Sequence, residues 1–155
     1  MELRIAAIGE RMPVWVETAV TEFTGRMPPQ LPVRLVTPPA SRRRRGGDVA
    51  RAVEEEGERL LAATEGCVRV ALDERGRRVA TRDLAGWLDD WLMDGRDVAF
   101  LVGGADGLSD RCLQRAECRW SLSALTFPHM LVRVILAEQL YRAWTVLSNH
   151  PYHRG

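Results

Sequence analysis

Val98-Ala99-Phe100-Leu101-Val102, five apolar residues in a row between Asp97 and Gly103-Gly104, constrains this chain more than any other stretch. A strand with one face in water alternates apolar and polar side chains. One without alternation is covered on both faces, as an inner strand of a parallel sheet is. Parallel strands need long crossovers, usually helices, and the rest of the chain supplies them. Leu3–Ile8, Val33–Val36 and Val68–Leu72 read as further strands, the last running into an Asp73-Glu74-Arg75-Gly76 loop. Val14–Arg26 keeps Val16, Ala19, Val20 and Phe23 on one helical face. Asp48 caps a helix to about Ala63, Thr81 caps one carrying Leu84, Leu88, Trp91 and Leu92, and Ser109 caps one to about Cys118. Leu122–Leu125 is a short strand, and a last helix runs from Pro128 to Leu147. This alternation predicts one α/β domain over residues 1–155: an open, mostly parallel sheet of five to six strands with helices on both faces. Ligands in such sheets bind beyond the carboxyl ends of the strands, so chemistry is expected after Leu72, Val102 and Leu125.

The last helix is apolar around its whole circumference, from Leu131, Val132 and Val134 to Trp144, Val146 and Leu147. Such a helix must be covered on more than one side. A second copy of the chain is the simplest cover, and a homodimer through this helix is expected.

Charge restricts the partners. The net charge is +1, with 22 basic residues that are all arginine, so bulk electrostatic gripping of naked nucleic acid is not its mode. Residues 1–118 hold 18 Arg against 20 acids, whereas residues 119–155 hold 4 Arg, the single acid Glu138 and all three histidines. A polyanion should therefore meet the C-terminal end or the Arg42–Arg45 run, which reads equally as solvated surface or as a phosphate contact. The three cysteines form no Cys-x-x-Cys pair and carry no function. No run approaches the ~20 apolar residues of a membrane span, and the opening Met1-Glu2-Leu3-Arg4 lacks an export signal, so a cytoplasmic protein is expected.

Three constellations could carry chemistry. Gly103-Gly104-Ala105-Asp106-Gly107, after the buried strand, could expose backbone N–H groups to a ligand, although the dinucleotide spacing is missing. Ser121 to His129 alternates small hydroxyls with apolar residues before a helix start, which suits a pocket for a flat ring or a plain Thr126 cap. The tail His150-Pro151-Tyr152-His153-Arg154 offers an aromatic with His and Arg, fit for stacking on a base and touching phosphate. Its two histidines lack a nearby Cys or acid, so no metal is expected. Glu138 and Arg142, four apart, predict a helical ion pair.

Leu72-Asp73, Gly103 to Leu108, Ser121 to His129, Leu131-Val132-Arg133, Ala137 to Ala143 and Asn149 to Arg154 occur in that order. Together they resemble the ribosomal large-subunit methyltransferase H family, small SPOUT enzymes of about this length. The first 65 residues add little beyond Met12-Pro13-x-Trp15. The resemblance implies a C-terminal trefoil knot holding S-adenosyl-L-methionine. It places the cofactor against Leu72, Gly103, Gly104, Leu122, Ser123, Ala124, Leu125, Thr126 and Phe127. It implies methylation of N3 of a pseudouridine in 23S rRNA within the assembled 70S ribosome, by dimers that bring the tail of one protomer towards the cofactor of the other. N3 must lose a proton. His153, His129 or a water could take it, Arg142 and Arg154 could stabilise the charge, and Tyr152 would stack on the base or wall the pocket. Two competing readings are a non-catalytic nucleotide-binding or ribosome-associated module, and a SPOUT methyltransferase acting on tRNA.

Overall fold

The computed structural model describes residues 1–43 and 48–154; Arg44, Arg45, Gly46 and Gly47 lie outside the described residues, and with them half of the arginine run. Among the described residues five strands, β1 (Leu3–Ala7), β2 (Val33–Val36), β3 (Val68–Arg78), β4 (Val98–Val102) and β5 (Cys118–Ser121), alternate with five helices. These are α1 (Val14–Gly25), α2 (Val49–Ala63), α3 (Thr81–Asp94), α4 (Asp110–Arg115) and α5 (His129–Leu147), followed by a 3-10 turn at Pro151–Arg154. The sheet runs β2-β1-β4-β3-β5 with every pair parallel. Five strands and wholly parallel pairing thus resolve the expected five to six and mostly parallel.

Alternation of side chains across each strand sorts the helices. Leu3, Ile5, Val98 and Phe100 point to a face packed by α1, α3 and α5. Ala6, Ile8 and Leu101 point to the other, covered by Leu60 and Leu61 of α2 and Cys112 of α4. The central strand β4 is buried at all five positions, as its sequence requires.

Chain direction then fixes where crevices open. After β4 the chain turns to α4 on one face, whereas after its neighbours β1 and β3 it turns to α1 and α3 on the other. Loops that part to opposite faces leave a gap at the strand ends, here on both flanks of β4.

Several boundaries differ from the sequence reading. Asp73–Gly76 is not a loop after the strand but a break within β3. Trp120 pairs with both Leu72 and Arg77, so the intervening residues bulge out before pairing resumes. Gly76 makes this possible, because a Cβ there would lie 2.7 Å from the Arg119 backbone. α4 ends at Arg115 rather than near Cys118, and the strand is Cys118–Ser121, not Leu122–Leu125. Residues 121–125 form a turn instead: Ser121 Oγ donates to the Ser123 carbonyl (2.8 Å), and Leu125 N–H donates to Ser123 Oγ (3.0 Å). Thr81 does not cap α3. The Asp83 carboxylate accepts the Ala80 N–H (2.9 Å), and Thr81 Oγ1 donates to Gln139 on α5 (2.6 Å).

α5 packs against α1, α3, β1 and β4, so much of its apolar circumference is satisfied within one chain. Leu131 and Ile135 are half-buried and lie outside the core cluster. The helix stops at Asn149, whose positive φ of 57° lets the His150 N–H reach the Thr145 carbonyl (2.8 Å). Among the described residues no helix is long and apolar enough to cross a membrane.

Candidate functional site

The gap between β3 and β4 holds a cavity of about 140 Å³, opening into a cleft of about 680 Å³ that shares Leu72, Asp73, Glu74, Gly107, Phe127 and His129 with it. Each wall follows from the fold. The bulge of β3 brings in Asp73 and Glu74, the turn after β4 brings Gly103 and Gly107, and the stapled turn after β5 brings Leu122, Ser123, Leu125 and Phe127. Trp120, 3% exposed, forms the floor, and Trp87 and Trp91 of α3 stack on it at 4.7 and 5.8 Å between ring centroids. The cavity is mostly apolar. It carries two carboxylates and one imidazole but no arginine among its lining residues.

Gly103 is required by the turn itself. A Cβ there would fall 2.4 to 2.7 Å from the backbone of Gly107 and Leu108. Gly107 adopts φ +81°, the left-handed conformation glycine favours. Gly104 is different: a Cβ would meet Ile8 and Glu56 at ordinary contact distances of 3.4 and 3.5 Å.

His129, at the start of α5, faces both cavity and cleft. Burial lowers its pKa below the ordinary histidine value, the nearby Arg133 lowers it further, and Glu56 opposes. A neutral ring at pH 7 can accept a proton. Arg133, one turn along α5, is completely buried and has no carboxylate partner among the described residues. Its Nη2 donates to the carbonyls of Ile8 and Gly9 (both 2.9 Å), while its Nε finds no acceptor. Burial pulls its pKa below the usual arginine value.

The tail is elsewhere. The 3-10 turn folds back along α5, where the Tyr152 hydroxyl donates to Glu138 (3.1 Å), the Tyr152 ring packs on Tyr141 (4.7 Å) and Arg142 binds Glu138 through Nε (2.8 Å). Arg142 also sits over the Tyr152 ring at 5.0 Å. The Glu138 hydrogen bond raises the Arg142 pKa, and burial raises that of Tyr152. His153 Nδ1 is buried without a hydrogen-bond partner. Glu138 is nine residues beyond His129, or ~13 Å at 1.5 Å per helical residue.

The named residues thus divide. Leu72, Gly103, Leu122, Ser123, Leu125, Phe127 and His129 line the cavity; Gly104 and Thr126 line the adjoining cleft; Ala124 sits on its outer side with Gly76 and Arg78. Arg142, Tyr152, His153 and Arg154 belong to the distant tail region. Sequence reasoning missed Trp120, Glu74 and Val132 in the walls, because it placed β5 four residues late and treated Glu74 as plain loop.

A parallel α/β sheet with a cavity at its switch point, closed by the chain that follows the last strand, defines the architectural class. The family described as "Predicted SPOUT methyltransferase" matches residues 1–153, and the chain belongs to the SPOUT methyltransferase family. It is 53% identical over 155 residues to a protein of Thioalkalivibrio sulfidiphilus (strain HL-EbGR7), covering 99% of each chain. Proteins of Alkalilimnicola ehrlichii (54%, the whole of both chains) and Methylococcus capsulatus (52%, 99% of this chain and 100% of the relative) are similar to the same degree. All three relatives are named "Ribosomal RNA large subunit methyltransferase H". A solved structure titled "The structure of a probable methylase family protein from Haemophilus influenzae Rd KW20" shares the fold, with a TM-score of 0.56 at 14% identity over 97% of this chain and 69% of that one.

Proposed function

We propose that the chain transfers the methyl group of S-adenosyl-L-methionine to N3 of a pseudouridine in 23S rRNA of the 70S ribosome, in the cytoplasm. The observation that carries this reading is the cavity's chemistry. Apolar walls with two carboxylates and no arginine favour a flat, cationic ligand over a phosphate-bearing nucleotide. The relatives' names, at 52–54% identity over essentially the full length, supply the RNA class. S-adenosyl-L-methionine bound there would supply an electrophilic methyl carbon on a sulfonium.

The chain's residues do the rest. Leu72, Leu122, Leu125, Phe127 and Val132 exclude water, and Asp73 and Glu74 set a negative field at the mouth. His129 accepts the N3 proton, and the turn after β4 fixes the cofactor's place, so that positioning carries much of the rate. The passage of residues 121–129 between the β3 bulge and the Gly103–Gly107 turn is where a trefoil knot would close. Two copies pair through α5, using Leu131 and Ile135 with Val14 and Trp15, which are 78% and 57% exposed. The tail, packed on α5 at Glu138, ~13 Å along the helix from His129, reaches towards the cofactor of the partner, where Tyr152 stacks on the base and Arg142, His153 and Arg154 meet its charge.

Labelled methyl transfer to 70S ribosomes lacking the mark tests this, beside free 23S rRNA, tRNA and ribosomes with uridine at the target. Label on pseudouridine-bearing 70S alone is expected. Label on tRNA, or none despite cofactor binding, would replace the reading with a tRNA enzyme or a binding module.

A further inference from the structure

The crevice on the other flank of β4 is also occupied by a cavity, of about 410 Å³, between the turn after β1 (Ile8 to Arg11), Pro39 to Arg43, Gly104-Ala105 and the start of α5. Small-molecule sites span roughly 300–1,000 Å³. It adjoins the cofactor side: His129 lines both cavities, and Gly104 and Ala105 line this one and the cleft. On the assumption that the proposed methyl transfer is correct, we infer that this second cavity receives the target base, extruded from the RNA, with His129 on the edge that the two cavities share, beside N3 and out of the line from N3 to the methyl carbon.

Its lining fits a neutral heterocycle better than a phosphate. Ile8, Ala40, Ala105 and Met130 are apolar, and the charges balance as Glu10 against Arg11 and Glu56 against Arg43. Phosphates would be met at the rim, where Arg42 lines the neighbouring surface depression with Arg51 and Arg59.

Both walls are held by buried charge. Arg43 binds both oxygens of Glu56 (2.9 and 3.0 Å), a carboxylate 2% exposed that also accepts the Ser41 N–H (3.0 Å). The same guanidinium reaches Asp106 of the glycine turn (2.6 Å), which ties the loop after β2 to the turn after β4. On the opposite wall Arg133 grips the Ile8 and Gly9 carbonyls beneath Gly9, whose φ is +111°. A buried cation without a counter-charge is costly, and here it fixes the turn that forms the cavity's edge. A rigid receptor lowers the cost of ordering a flipped nucleotide.

Ala40 is the place to test this, being exposed, outside the core and absent from the lining of the cofactor cavity and its cleft. Ala40→Phe should lower kcat/KM for 70S ribosomes at least tenfold, with S-adenosylhomocysteine affinity and Tm unchanged. Undiminished kcat/KM in Ala40→Phe overturns the inference, as does a loss that merely tracks cofactor affinity. A second measurement does not depend on turnover. The thiol of Ala40→Cys is alkylated with iodoacetamide in the presence of S-adenosylhomocysteine, with and without 70S ribosomes, beside the thiol of Met93→Cys, a position 83% exposed on α3. Protection of the first thiol alone supports the inference, even if the wild type methylates no ribosome, which would overturn only the proposed reaction. Equal alkylation of the Ala40→Cys thiol with and without ribosomes overturns the base site.

Discussion

The two ends of α5 solve opposite electrostatic problems. At its start Arg133 is fully buried with two backbone carbonyls and no carboxylate partner among the described residues, and burial lowers the pKa of His129. Nine and thirteen residues after His129, Glu138 and Arg142 share a close, partly exposed ion pair, with side chains 19% and 25% accessible, and Tyr152 adds a third partner. The first end gives up charge compensation to hold backbone in a fixed shape beside two cavities. The second keeps its charges paired within the helix, with the tail's Tyr152 resting on them. Geometry is built where the reaction would occur, and adaptability where another molecule would arrive.

The largest effect expected from breaking this contrast is at His129. His129→Ala should lower turnover ~100- to 1,000-fold, the scale of a lost general base, with S-adenosylhomocysteine affinity within a few-fold of wild type by calorimetry. Next comes Arg133→Met, which keeps the stem but strands the Ile8 and Gly9 carbonyls. Chemical denaturation should show a loss of about 2–3 kcal/mol, the cost of one buried and one partly buried acceptor left without a donor. Gly103→Ala should cost about as much, because its Cβ meets backbone that cannot swing away. Gly104→Ala should leave the melting temperature within a few degrees of wild type. At the tail, Tyr152→Phe removes one hydrogen bond to Glu138, worth about 1 kcal/mol or less at a partly exposed site, and should be detectable mainly as faster proteolysis of the last residues.

The pH profile sharpens the same contrast. A histidine whose folded pKa is depressed stays neutral until the pH falls below the ordinary value near ~6.5. The acid limb of kcat should therefore have its midpoint below that value, and it should vanish in His129→Gln. Between the folded and unfolded pKa values the folded state binds fewer protons at this site, so the group also costs stability as the pH falls through that window.

Much of the fold was legible in the sequence because the signals were local. The unbroken Val98–Val102 run announces the central strand, and Asp48 and Ser109 cap their helices as read, accepting the Arg51 and Cys112 N–H groups. The misread boundaries have two causes: tertiary partners overrode local preference, and local hydroxyl bonds closed a turn where a strand was expected. Thr81 leaves its capping role for Gln139 on α5, and Ser121 and Ser123 turn their hydroxyls on their own loop. The bulge in β3 depends on Gly76 meeting the Arg119 backbone across strands, a contact no single-segment pattern contains. In the site, the loops after β3 and β4 were foreseeable from topology. The roles of Arg133 and Arg43 were not, since a lone arginine on an apolar helix or within an arginine run carries no mark of the carbonyls or carboxylate it will find.

Subunit complementation tests the central claim most directly, namely that the two ends of α5 work in different protomers of one catalytic unit. His129→Ala and Arg154→Ala chains, each expected to have little activity alone, would be co-expressed with different tags and the mixed dimer purified. In a symmetric pair one cavity then keeps His129 together with the partner's intact tail, and the other loses both. The account predicts methyl transfer to 70S ribosomes at about half the wild-type rate. A mixed dimer as inactive as either parent would mean that cavity and tail act within one chain, and an active Arg154→Ala parent would mean that the tail takes no part; either would contradict it.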